Sequence, residues 1–139
     1  MGEHEISPER LAEIIRSDAF AAQLGVELEE VRPGYARMRM NLDGRHRNFL
    51  GMVHGGAVFG LADAAFAAAS NSFGTKAVAV HVGIDYLAAT GDSPFLVAEV
   101  EFVSRAGKIG NYDMKVRTSS GEVIATCRGR VYHTGRPLE

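Results

Sequence analysis

Residues 54–74, His-Gly-Gly-Ala-Val-Phe-Gly-Leu-Ala-Asp-Ala-Ala-Phe-Ala-Ala-Ala-Ser-Asn-Ser-Phe-Gly, constrain the fold more than any other part of the chain. Alanine, leucine and phenylalanine favour helix, a glycine pair opens the run, and Gly74 is a natural stop. At the helical rise, residues 57–72 make a rod about 24 Å long, enough to cross a small domain. Val58, Phe59, Leu61, Ala62, Ala64, Ala65, Phe66 and the alanines at 67–69 spread over every face of that rod. A helix that is apolar all round must be covered all round. It carries one carboxylate, Asp63, and an ionised carboxylate away from water is costly unless something holds it. Function is therefore to be sought at Asp63.

Composition narrows the class. A chain of 139 residues, 46% hydrophobic and 23% charged, suits one soluble domain with a sizeable core. The formal net charge of −2 argues against nucleic acid as the main partner. A lone cysteine, Cys127, allows no internal disulfide and reads as a small buried apolar residue in a reducing compartment. The opening run Met-Gly-Glu-His-Glu is acidic, with no apolar signal core behind it, and the long helix is too short and too interrupted by Asp63 to span a bilayer. A cytoplasmic protein without a membrane partner is expected. His81 and His133 have no Cys or carboxylate at metal-ligand spacing, so no metal is expected.

In chain order, Ser7-Pro8 is a helix start, with Ser as N-cap and Pro at the first helical position. Leu11, Ile14 and Ile15 give an amphipathic turn that continues loosely to Leu24 and ends at Gly25. Two strand-like runs, 26–31 and 35–42, meet at Pro33-Gly34; in the second, Ala36, Met38, Met40 and Leu42 alternate with polar neighbours. Residues 43–53 form an irregular polar loop leading into the long helix, a common place for function. Four further strands are expected, beginning with 78–87, which is apolar on nearly both faces as a central strand should be. The runs 96–103 and 111–118 alternate as half-buried antiparallel strands, and 123–133 is the last. The resulting expectation is an α+β fold in which consecutive hairpins curl around one helix. Since a sheet covers only one side of a helix, the uncovered side predicts a homodimer with the helices near the interface.

Asn48-Phe-Leu-Gly-Met-Val-His-Gly-Gly56, followed by Asp63 in the helix and by Asn71-Ser72, resembles the hot-dog fold acyl-CoA thioesterases, in particular the phenylacetyl-CoA (PaaI-like) branch. Ile84-Asp-Tyr-Leu87 and the Gly107-Lys108 turn also look like that family, so the resemblance runs over 25–133 and leaves 1–24 as an N-terminal helical segment. It implies a curved antiparallel sheet around the central helix and an active site built across a dimer interface, with a homotetramer expected. It also implies roles. Asp63 would act as general base or nucleophile on the thioester, the Gly55 backbone N–H would polarise the carbonyl with Gly56 and His54 beside it, and Asn48 would position substrate or water near the Asp of the other subunit. CoA contacts are implied at Tyr86, Leu87 and Ala88, and at Arg105, Gly107, Lys108 and Gly110. No cofactor is implied beyond the CoA of the substrate.

Physical chemistry supports the same roles. Helix N-terminal N–H groups are preorganised donors for an oxyanion, and thioesters are activated enough that one carboxylate and one oxyanion hole suffice. His54 taken alone is more simply a residue that orients the loop, and Asn71 and Ser72 read as local caps. Most of the arginines read as solvated strand faces. Two other readings stay open: an acyl-CoA-binding module, which would not need Asp63, and a hot-dog dehydratase or hydratase, which usually relies on a helix His that this chain lacks.

Overall fold

The computed structural model describes residues 5–139; the acidic run that opens the chain lies, apart from Glu5, outside them. Helix α1 (Pro8–Arg16) starts at Ser7, whose side chain accepts the Arg10 N–H. Asp18 then caps a separate short helix, α2 (Ala19–Leu24), which ends at Gly25 in the left-handed conformation (φ 74°) that favours glycine. The segment from 8 to 24 is thus two helices, because Ser17 and Asp18 both bond local backbone in preference to continuing the first.

Strands β1 (Val26–Arg32) and β2 (Tyr35–Asn41) form the expected hairpin. A single 3₁₀ turn, Gly44–His46, lies in the loop that follows. The long helix α3 runs Gly55–Ser70. It starts and stops earlier than composition suggests, because His54 and Asn71 supply the caps. Strands β3 (Thr75–Tyr86), β4 (Phe95–Ala106), β5 (Ile109–Thr118) and β6 (Val123–Pro137) complete one antiparallel sheet ordered β1-β2-β4-β5-β6-β3. Two neighbour pairs, β2-β4 and β6-β3, are not consecutive in sequence, so the sheet is not a simple run of hairpins. The chain passes through α3 between β2 and β3, which sends β3 to the far edge.

That position corrects the expectation of a central strand at 78–87. β3 bonds only β6, and Val78, Val80 and Leu87 are exposed. Apolarity on both faces of a strand records that it is to be covered, not that it lies mid-sheet. The core forms between α3 and the concave face: Met38, Met40, Leu96, Val100, Tyr112, Met114 and Val116 are buried against Leu61, Ala62, Ala65 and Phe66. Helix and sheet approach closely at Gly129, where a Cβ would come 2.5 Å from Phe66 Cζ. Tyr112 stacks edge-on against both Phe66 and Phe102.

Candidate active site

The loop before α3 is held by its own side chains. Asn48 Oδ1 accepts the N–H groups of Leu50 (2.9 Å) and Met52 (3.1 Å), and Arg47 Nη1 donates to Gly51 O. Buried His46 bonds Leu24 O at 2.6 Å through Nε2 and accepts the Asp43 N–H at Nδ1, while its carbonyl accepts the His54 N–H. Sequence reading missed His46, which fixes where α3 begins. His54 then caps the helix: Nδ1 accepts the Gly56 N–H at 2.8 Å. The Gly55 N–H has no partner among the described residues. Gly55 lines a cleft of about 510 Å³ together with Arg47, Met52, Val58, Tyr86 and Leu87, and Tyr86 Oη donates to Gly55 O at 3.0 Å. Of the expected site residues, Gly55, Tyr86, Leu87 and Ala88 thus come together.

Asp63 is elsewhere. Eight residues on from Gly55, it lies about 12 Å along the axis. It belongs to the stripe of α3 that the sheet leaves open, Gly56, Phe59, Asp63 and Ala67, half-buried or exposed residues that share one side of the helix, with half-buried Ala64 at its border. Its carboxyl accepts no hydrogen bond and forms no ion pair among the described residues. Burial, and secondarily the charge of Asp18, push its pKa above the ordinary 3.8.

The second implied CoA segment is also remote. The Lys108 carbonyl accepts the His133 N–H, and His133 pairs with Ala77 near the start of β3, whereas Tyr86 ends that strand. Nine residues of extended chain put those ends about 30 Å apart. Arg105 Nε is engaged by Gly107 O at 2.7 Å, Lys108 Nζ stands 5.6 Å from the Tyr132 ring centre, and Gly110 is buried under His133. Among the described residues no three His, Cys, Asp or Glu side chains group as metal ligands would, and no helix is long and apolar enough to cross a membrane.

A curved antiparallel sheet wrapped around one helix, whose N-terminus borders a cleft, is a hot-dog fold. The chain belongs to the thioesterase superfamily, whose family model matches residues 50–125, and is a thioester hydrolase. A relative from Archaeoglobus fulgidus is 38% identical over 117 residues, 84% of this chain and 76% of that one. Acyl-coenzyme A thioesterase PaaI of Escherichia coli is 32% identical over 119 residues, 86% of this chain and 85% of its own. The solved structure of the E. coli PaaI protein from the phenylacetic acid degradation operon superposes with a TM-score of 0.86 at 30% identity, covering 94% of this chain and 95% of that chain.

Proposed function

We propose that the protein hydrolyses acyl-CoA or aryl-CoA thioesters to the free acid and CoA, at a site completed by a second copy of the chain. The observation that carries this is the division of N–H groups at the start of α3: His54 consumes that of Gly56, and that of Gly55, which lines the cleft, has no partner among the described residues. There it would stabilise the oxyanion formed when water attacks the thioester carbonyl. Asp63 would take the proton from that water; its raised pKa makes it the stronger base. Collapse of the tetrahedral adduct breaks the C–S bond, and the proton held by Asp63 passes to the departing thiolate of CoA, which restores the carboxylate. The chemistry draws on a backbone donor and a carboxylate, and the reading needs no cofactor. His54 and Asn48 act here as positioning residues, since both spend their acceptors on the loop and helix start.

Two features favour assembly from two copies. Asp63 and Gly55 sit on different parts of α3, and the two implied CoA segments lie at opposite ends of β3. Antiparallel pairing of two β3 edges would bring the Tyr86 end of one protomer beside the Lys108 turn of its partner and cover Val78 and Val80. The similarity to the E. coli PaaI protein from the phenylacetic acid degradation operon supports an aryl-CoA such as phenylacetyl-CoA among the substrates. Asp63→Asn keeps shape and volume. It is expected to lower kcat by about 100-fold or more, as loss of a general base does, with an unchanged or raised Tm because a half-buried charge is removed. Thiol release from an acyl-CoA panel and a melting curve read both. Full turnover by Asp63→Asn overturns the mechanism.

A further inference from the structure

The N-terminal helices lie outside the stretch matched by the thioesterase family, yet α2 is built onto the border of the open stripe of α3. Leu24 sits so close to Gly60 that a Cβ there would come 2.6 Å from Leu24 Cδ1, and Phe20 Cε2 stands 3.8 Å from the same point. Gly60 precedes Asp63 by three residues, one turn along the same flank of the helix. The N-cap of α2, Asp18, is near enough for its charge to act on Asp63. Buried Ala21 and half-buried Leu24 already anchor α2. Phe20 does not serve that purpose: it is 66% exposed, a large ring left uncovered against Gly60, one helical turn from half-buried Asp63. An uncovered aromatic next to a polar reactive group is what an apolar substrate segment requires.

We infer that Phe20 is the side wall of the acyl chamber next to Asp63 and sets the size of acyl group the enzyme accepts. This rests on the reading of Asp63 as the catalytic carboxylate. The stripe supplies the floor, where exposed Ala67 leaves room and half-buried Phe59 offers an apolar face. Removing the Phe20 ring widens the chamber, so contacts with a short or aryl acyl group are lost and a longer chain gains space. Pocket changes of this size alter discrimination by about tenfold or more.

The test compares wild type, Phe20→Ala and Asp63→Asn on straight-chain thioesters from acetyl-CoA to decanoyl-CoA and on phenylacetyl-CoA. Alongside kcat/KM, calorimetry gives Kd for the same thioesters and for free CoA in Asp63→Asn with and without Phe20→Ala. The expected result is that the ratio of decanoyl to phenylacetyl kcat/KM rises about tenfold in Phe20→Ala, with Kd for the acyl-CoAs shifting in the same sense and Kd for free CoA constant. An unchanged ratio, or a uniform change across the series, overturns the assignment. So does a loss of dimer in light scattering with the ratio intact, which would make Phe20 a subunit contact. If Asp63→Asn itself turns over, the catalytic reading fails, and the kcat/KM ratio of Phe20→Ala against wild type still decides whether Phe20 discriminates acyl size.

Discussion

At its C-terminus α3 is tied down by two side chains, whereas at its N-terminus a backbone donor is left over. Asn71 Nδ2 donates to Ala67 O (2.9 Å) and Ala77 O (3.2 Å), and its Oδ1 accepts the Ala77 N–H. Ser72 Oγ donates to Ala69 O and accepts the Gly34 N–H at 2.7 Å, so the helix end is joined to β3 and to the β1-β2 turn. At the other end His54 satisfies one N–H, and that of Gly55, a residue lining the cleft, has no partner among the described residues. The difference shows how one helix can serve both stability and chemistry: polar groups are closed off where the fold is anchored and kept free where an oxyanion would form.

Substitutions at the two ends should therefore separate activity from stability. Gly55→Pro removes the free donor. Because the added Cβ comes 3.2 Å from the hydroxyl of exposed Tyr86, Gly55→Ala, which adds the same Cβ and keeps the N–H, is the control. Proline suits the first helical position, and His54, at φ −65° and ψ 134°, already has the backbone that precedes a proline. The expected result is a fall in kcat of about 100-fold with Tm nearly unchanged; normal kcat would remove Gly55 from the oxyanion site. Asn71→Ala should do the reverse, costing about 2 kcal/mol for the lost bonds around a half-buried side chain while kcat stays at the wild-type value. Urea unfolding measures the first effect and thiol release the second.

A smaller effect should appear near the closed end with pH. His133 is 1% exposed, packs against Phe73 and Tyr112, and has no hydrogen-bond partner at either ring nitrogen among the described residues. Burial, and then the charge of Arg105, push its pKa below the ordinary 6.5. Its contribution is complete above pH 6.5 and is lost as pH falls toward the folded pKa, because below 6.5 the unfolded chain binds a proton that the folded one refuses. Each unit of depression is worth about 1.4 kcal/mol. His133→Leu should flatten the decline of stability between pH 6.5 and acid; an identical slope in both proteins would show that His133 does not titrate on unfolding.

Much of this architecture was legible in the chain because period and caps are local. The alternation of Met38 and Met40 with Arg37 and Arg39, the Pro33-Gly34 turn, and the apolar helix with Asp63 each state their own structure. Strand order did not, since nothing in residues 78–87 records that the chain returns to the sheet beyond β6. The loop motif marked Gly55 and Asn48, yet only the geometry divides their duties, with Asn48 Oδ1 spent on Leu50 and Met52. The neighbourhood of Asp63 was illegible for a related reason. Phe20 and Asp18 reach it through the packing of α2 on Gly60, a contact between segments some forty residues apart that no local pattern announces.

Subunit complementation tests most directly whether the site is shared between two copies. Gly55→Pro and Asp63→Asn, each inactive, are mixed under conditions that exchange subunits, with exchange verified by a size tag on one variant. If Gly55 of one protomer works with Asp63 of its partner, every mixed dimer regains one intact site, and random exchange should restore about a quarter of wild-type activity. Verified exchange with no recovery would contradict the account and place both residues of each site on a single chain.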